Sequence, residues 1–361
     1  MRIGIDARLI AETGVGRYTR NLIRELQRID CTNEYVVFLR KSGFDGFVLP
    51  NKRWRKVLAD IPWHTVTEQI LMPGIFQKEN LDLLHVPYFN VPLLYRGPFV
   101  VTVHDLTIMH FDTGKASTHA WALYKLRRLG YRVIVRWGIL HAKHLIAVSQ
   151  ATKKEILDHF PVSADKITVT HEGVDENFQG QQKPIIGGQY FLYVGNAYPH
   201  KNLETLLVAF ERLKGTTKLV LVGKDDFFYR RIRKSVEDLG LSQSVVFFGA
   251  ANDTQLASLY QHARALVFPS LMEGFGLPAL EAVSFGCPVV CSDIPVFHEL
   301  LGDDALYFDP ANPENIAQIL KRIMSKDIKE KREPNTKVLS RFSWKEMAQK
   351  TIHIYERSLG L

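Results

Sequence analysis

Three cysteines in 361 residues, Cys31, Cys287 and Cys291, are too few for a disulfide framework. No stretch approaches the ~18 uninterrupted apolar residues that a membrane-crossing helix needs. The nearest, residues 131–140, is broken by Arg132 and Arg136. The opening Met-Arg-Ile-Gly-Ile-Asp starts a strand with no apolar leader, so a secretory signal is not expected. These absences point to a cytoplasmic, reducing environment. Residues 113–154 contain no Asp or Glu at all. No ligand-spaced set of His and Cys is present, so no metal is expected. Cys287 and Cys291, at an even offset around an apparent buried strand, read as small buried hydrophobes. Asp225-Asp226 and Asp303-Asp304 read as turn or helix-start residues rather than ligands.

What is there is ordinary for a folded chain: 46% hydrophobic and 23% charged residues. That balance excludes wholesale disorder and collagen-like structure. The length fits two domains. The formal charge of +8 suits an anionic partner: a nucleotide, a phosphorylated lipid, a membrane face or nucleic acid. No recognised nucleic-acid-binding motif accompanies it, so nucleic acid is not expected.

Strand-like apolar runs alternate with amphipathic stretches from end to end. Strands are expected near 3–7, 35–39, 81–85, 99–104, 144–149 and 166–171, with helices near 15–29, 63–77, 117–141 and 151–159. A Gly-, Pro- and Gln-rich stretch follows at 172–189. A second series then runs through strands near 190–194, 218–222, 245–248, 265–268, 288–291 and 305–308. Its helices are expected near 203–213, 229–239, 254–262, 277–285 and 313–325, and a last amphipathic helix near 344–359. Val- and Ile-rich strands in a βαβ rhythm make parallel sheets covered on both faces. The expected fold is α/β, with two Rossmann-like domains facing an interdomain cleft. The domains are 1–175 and 190–340, joined by a linker at 176–189, with a last helix in 341–361. Ligands of such sheets bind beyond the carboxyl ends of the strands, so functional residues should follow strands.

The most particular stretch follows the strand ending Val267-Phe268: Pro269-Ser-Leu-Met-Glu273-Gly274-Phe275-Gly276-Leu277-Pro278-Ala-Leu-Glu281. Two glycines open a helix, Pro278 suits its first turn, and the free amides there attract an anion. Glu273 and Glu281 stand at i and i+8. Residues 273–281 resemble the E-x7-E motif of the retaining glycosyltransferases of family 4, which have the GT-B fold. Val194-Gly195-Asn196-Ala-Tyr-Pro-His200-Lys201-Asn202 resembles that family's phosphate-binding turn. Val148-Ser149, the 171–175 segment His-Glu-Gly-Val-Asp and Ala305-Leu-Tyr-Phe-Asp-Pro310 also match, so the resemblance spans the whole chain.

The resemblance implies roles: residues 1–175 on the acceptor side, 190–340 on the nucleotide-sugar side, and the helix of 341–361 crossing back to the first domain. Glu281 would accept hydrogen bonds from the ribose of a nucleotide-sugar, and Glu273 would contact hydroxyls of the donor sugar. The amides of Gly274, Phe275, Gly276 and Leu277 would hold the distal phosphate. Lys201 would stabilise the departing diphosphate. Many relatives carry Arg where this chain has Asn196, so His200 or Lys224 could supply part of the missing charge. In the first half, Gly14-Val15-Gly16 would offer amides to the diphosphate or acceptor. Its Gly-x-Gly-x-x-Thr pattern lacks the third glycine of a nicotinamide fingerprint and stands away from its strand, which argues against NAD. His104 would contact the donor sugar, Asp105 could position His104 or the acceptor, and domain closure would complete the site. His110 and Asp112 could belong to an acceptor loop.

Residues 113–154 carry Lys115, Lys125, Arg127, Arg128, Arg132, Arg136, Lys143, Lys153 and Lys154 among Trp121, Tyr124, Tyr131 and Trp137. That mixture suits an anionic membrane face or a diphosphate-linked lipid acceptor; a solvated face over packed aromatics is the alternative. The expected activity is retaining hexosyl transfer from a nucleotide-sugar, with no metal, to a glycan or lipid-linked acceptor in surface-polysaccharide assembly. The His104-Asp105-Leu106 and Pro199-His-Lys-Asn202 variants resemble mannosyltransferases, so GDP-mannose is the first donor and a UDP-sugar the second. The alternatives are a nucleotide-sugar epimerase and a non-catalytic glycan- or nucleotide-binding subunit. The Glu273–Glu281 pattern and the lack of further acid/base carboxylates argue against the first, and an intact Lys201, Glu273 and Glu281 set disfavours the second.

Overall fold

A computed structural model describes residues 1–111, 121–174, 183–213, 217–325 and 333–361, with backbone alone for 108 and 121–127. Among these, residues 1–109, 121–172 and 343–361 form one compact unit, and 110–111, 173–174, 183–213, 217–325 and 333–342 a second. Asp112, Lys115 and the side chains of Trp121, Tyr124, Lys125 and Arg127 lie outside the described residues, as does half of the expected linker.

The first unit holds seven parallel strands: β1 (Arg2–Asp6), β2 (Glu34–Leu39), β3 (Trp54–Leu58), β4 (Leu83–Val86), β5 (Phe99–Val103), β6 (His144–Ala147) and β7 (Ile167–Val169). Their order is β3-β2-β1-β4-β5-β6-β7. β3 was not foreseen. Arg55, Lys56 and the exposed Leu58 break its apolar pattern because it is an edge strand. Trp54 anchors it by stacking on Tyr35, ring centroids 4.3 Å apart.

The second unit holds six parallel strands: β8 (Tyr190–Val194), β9 (Lys218–Val222), β10 (Val245–Gly249), β11 (Ala265–Phe268), β12 (Val289–Ser292) and β13 (Ala305–Phe308), ordered β10-β9-β8-β11-β12-β13. In both sheets the first and fourth strands lie side by side, where the winding direction reverses. The short helix Pro295–Leu301 between β12 and β13 was also not foreseen. Cys287 lies before β12 and Cys291 within it; both are buried and neither is in a disulfide.

The terminal helix Trp344–Leu359 belongs to the first unit and packs on the helix Gly14–Ile29. Tyr355, fully buried, reaches His85 Nδ1 at 2.7 Å, while His85 Nε2 meets Thr102 Oγ1 at 2.8 Å. Burial, with His104 nearby, lowers the His85 pKa to about 3, so the ring is neutral inside the fold. Asp225 pairs with Arg233 and Asp226 caps the helix Phe227–Asp238 through the amides of Phe228 and Tyr229. Those acidic pairs are accounted for structurally, since Asp303 and Asp304 also sit in a 3-10 turn. No helix among the described residues is long and apolar enough to cross a membrane.

Candidate functional site

Lys201 and Glu273 are 72 residues apart, yet their side chains meet. β8 and β11 are neighbours in the sheet, so the loops at their carboxyl ends adjoin. Pro199–Lys201 forms a 3-10 turn after β8, and Asn202 follows it at φ +57°. The Asn202 amide donates to the carbonyls of Pro269 (3.1 Å) and Pro310 (2.8 Å), tying the loops after β8, β11 and β13 together. Leu271 N donates to His200 O at 2.8 Å. Lys201 Nζ then sits 2.5 Å from Glu273 Oε1, which also accepts from Ser270 Oγ at 2.6 Å. Both charged side chains are about nine-tenths buried, at 13% and 10% exposure. An ammonium has three N–H donors, so its pairing with Glu273 leaves donors for an anion.

Gly276, at φ +105°, turns the chain into the helix Leu277–Ser284, with Pro278 in its first turn. Only glycine takes that backbone readily. The helix opens without a side-chain cap, so the amides around Gly274, Phe275, Gly276 and Leu277 lie where a helix N-terminus attracts an anion. Glu281 points back from this helix, 4% exposed, and accepts from Tyr260 OH at 2.9 Å. The turn after β8 is fixed by phenols: Tyr229 OH donates to Gly195 O (2.9 Å) and Tyr193 OH to Asn196 O (2.5 Å). Burial holds the Tyr193 phenol well above its usual pKa, which keeps it a donor. A side chain at Gly223 would run into Gly195 O and Tyr229 OH, so the turn after β9 can close against it only as glycine. Lys224 follows and is exposed.

In the first unit, Gly14, Val15 and Gly16 are the first turn of the helix Gly14–Ile29 rather than a loop. Thr13 makes no side-chain cap, and no acidic residue occupies that turn. The unspent amides there are the kind that receive an anion. Gly16 is packed under the carbonyls of Leu9 and Ile10, which a Cβ would approach to 2.9 and 2.8 Å.

His104 follows β5 and stands edge-on to Tyr18 at 4.8 Å. Its Nδ1 lies 3.2 Å from Glu172 Oε1 and its Nε2 3.2 Å from Pro87 O. Both neighbours only accept hydrogen bonds. A neutral ring donates to one of them, and an imidazolium to both. Asp105 does not hold His104; it accepts from Thr107 N at 2.9 Å and shapes the next turn. The ring is held by Glu172, a residue to which sequence reasoning gave no role. The only signal was its place in the 171–175 segment, at the end of the unit.

Two all-parallel Rossmann-type sheets, with charged residues gathered where β8 meets β11, define a GT-B enzyme of glycosyl transfer. Residues 13–178 match the family described as Glycosyltransferase Family 4, and residues 175–337 the one described as Glycosyl transferases group 1. The chain is 32% identical to O-antigen chain mannosyltransferase B of Escherichia coli, over 95% of this chain and 96% of that one. It is 28% identical to O-antigen chain mannosyltransferase RfbU of Salmonella typhimurium, over 86% and 87%. Sucrose-phosphate synthase from Thermosynechococcus elongatus superimposes with a TM-score of 0.79 at 20% identity, covering 99% of this chain and 98% of that one. Anabaena HepE, in complex with UDP and glucose, gives 0.76 at 17%, covering 99% and 100%. The chain belongs to glycosyltransferase family 4.

Proposed function

We propose that the protein moves a hexose, with mannose from GDP-mannose as the first candidate, onto a glycan or lipid-linked acceptor in surface-polysaccharide assembly. Support for mannose comes from the two O-antigen mannosyltransferases it resembles. The observation that carries the transfer reading is the Lys201–Glu273 pair beside a helix N-terminus without a side-chain cap, about one turn from the buried Glu281.

In this reading the nucleotide lies along the carboxyl ends of β8 and β11. Glu281, oriented by Tyr260, accepts from the ribose hydroxyls. The amides of Gly274, Phe275, Gly276 and Leu277 hold the distal phosphate, with Asn196 and Lys224 bordering it. Lys201 donates to the diphosphate as the glycosidic bond breaks and negative charge builds on the leaving oxygen. Glu273 shares Lys201 and contacts the sugar. His104 and the amides of Gly14, Val15 and Gly16 serve substrate from the first unit. The acceptor oxygen attacks C1 on the face the diphosphate leaves, its proton passes to the leaving phosphate oxygen, and the anomeric configuration is retained. Lysine and helix amides supply the positive charge here, so no metal ion is required.

Thermal-shift titration with GDP, UDP, ADP and their common sugars tests the donor. A larger rise with GDP-mannose than with GDP, followed by GDP release, supports the proposal. A rise confined to UDP species transfers it to a UDP-sugar, the second reading, which the likeness to HepE favours. No rise with any nucleotide leaves a non-catalytic binding subunit.

The helix Trp121–His141 presents Leu129, Arg132, Val133 and Arg136 to the surface, with Leu129 60% and Val133 49% exposed. We propose that this mixed basic and apolar stripe rests on an anionic membrane face. Co-sedimentation with phosphatidylglycerol vesicles at low salt, lost at high salt, supports it; salt-insensitive binding, or none, retires it.

A further inference from the structure

Lys201 carries one charge, and Glu273 already answers it. Nζ lies 2.5 Å from Glu273 Oε1. Ser270, fully buried, donates its hydroxyl to the same oxygen at 2.6 Å and so holds the carboxylate against the ammonium. The ammonium also stands 5.8 Å from the centre of the buried Phe268 ring. Both charged side chains are mostly buried, so water and salt screen them little.

The groups beside them in the turn after β8 add no charge. Asn196 is an amide, and its Oδ1 accepts from Tyr198 N at 3.3 Å. Tyr193 stays a neutral phenol, its pKa pushed well above the ordinary value by burial first and then by Tyr229 and Glu273. The Lys201–Glu273 pair is therefore neutral as a unit.

An anion that shares Lys201 meets this carboxylate as well. Two oxygens bonded to one tetrahedral ammonium stand about 4–5 Å apart. At that separation, out of bulk water, Glu273 resists every further negative charge on the anion. The pair tolerates an anion of one charge better than an anion of two.

Glycosyl transfer changes that count. In a nucleotide-sugar the distal phosphate is a diester with one negative charge. When the glycosidic bond breaks, its electron pair stays on the phosphate oxygen, and the acceptor's proton passes through that oxygen to water. The phosphate is then a monoester, which loses its second proton at about pH 6 and carries close to two charges at neutral pH.

We propose that Glu273 is a specificity-determining residue that favours the nucleotide-sugar over the nucleoside diphosphate it becomes, and so hastens product release. This rests on the transfer reading above, which puts the diphosphate on Lys201. It is separate from the contact of Glu273 with sugar hydroxyls: the charge acts on the phosphate even where no sugar is attached.

Calorimetric titration of the full chain, in neutral to mildly alkaline buffer, compares GDP with its β-methyl ester. The ester has the same base and diphosphate, no sugar and one charge fewer. UDP and its ester are the pair if only uridine nucleotides bind. The ester is expected to bind at least threefold more tightly than the diphosphate. Glu273→Gln keeps the size and an acceptor for Ser270. In that variant the diphosphate should bind at least tenfold more tightly than in the unaltered chain, and the preference for the ester should vanish. Should the variant fail to fold, the ester preference of the unaltered chain decides alone. Equal affinity for ester and diphosphate, or a diphosphate affinity that Glu273→Gln leaves unmoved or weakens, overturns the proposal and leaves the transfer reading standing. Binding of no nucleotide by the unaltered chain overturns both.

Discussion

The two winding reversals of this molecule share a topology and differ in charge. At β1 and β4, Arg8 is matched against both Asp6 and Glu68. At β8 and β11, Lys201 is matched against Glu273 alone and keeps N–H donors to give. The same sheet order therefore builds one charge cluster without a usable cation and one with it. Strand order fixes where a ligand can lie, and the residues at the strand ends fix which ligand.

Breaking the first cluster should cost mostly stability. Arg8→Met leaves Asp6 and Glu68 buried without their cation, and losing one partner of a buried ion cluster costs about 3–5 kcal/mol. Burial alone would lower the Arg8 pKa, but Asp6 and Glu68 outweigh it and hold the guanidinium charged. Urea denaturation of the variant measures the loss; one below about 1 kcal/mol would mean the cluster is solvated in solution. Breaking the second should cost mostly rate. Lys201→Ala is expected to lower kcat for nucleotide release by about 10²–10³-fold, the usual effect of removing one donor to a developing anion. A rise in KM with kcat intact would make Lys201 an anchor only.

The contrast also separates what the sequence displays from what it conceals. The second site was legible because its parts are consecutive: the residues from Glu273 to Glu281 are one loop and one helix, and Lys201 closes one turn. Strands β8, β9, β11 and β13 fall on the expected residues, since buried parallel strands are plain Val, Leu and Phe runs. The first cluster is assembled from residues far apart in the chain. Nothing near Arg8 or Glu68 marks them, because their meaning comes from the helix Val66–Gln77 folding against the end of β1. The pairing of His104 with Glu172 spans 68 residues and was hidden for the same reason. β3 was missed because an edge strand needs no continuous apolar run.

Acid should distinguish the two units as well. His85 is neutral in the fold, its pKa lowered from 6.5 to about 3. The unfolded chain binds that proton more readily. The stabilisation is therefore complete above about pH 6.5 and declines as pH falls toward 3, by about 1.4 kcal/mol per pH unit. Between pH 7.5 and 5.5 the unfolding free energy should drop by about 1.4 kcal/mol on this account. His144, also lowered by burial and nearby cations, to about 4, adds to the same slope. His85→Gln should flatten the pH dependence of the urea midpoint. An unchanged slope would place the acid sensitivity elsewhere.

The smallest expected effect sharpens the second site most. Tyr260 donates to Glu281 Oε2, and its ring lies parallel to Phe285 at 5.8 Å, so Tyr260→Phe keeps the packing and removes the hydroxyl. If Glu281 receives ribose hydroxyls, the lost hydrogen bond loosens the carboxylate's aim and costs about 1 kcal/mol of nucleotide affinity, roughly a fivefold rise in Kd. Calorimetric titration with GDP or UDP reads that rise, and Glu281→Ala should exceed it. A fall in kcat with nucleotide affinity untouched would instead bring Glu281 to the sugar, and the division of labour between the two glutamates would have to be exchanged.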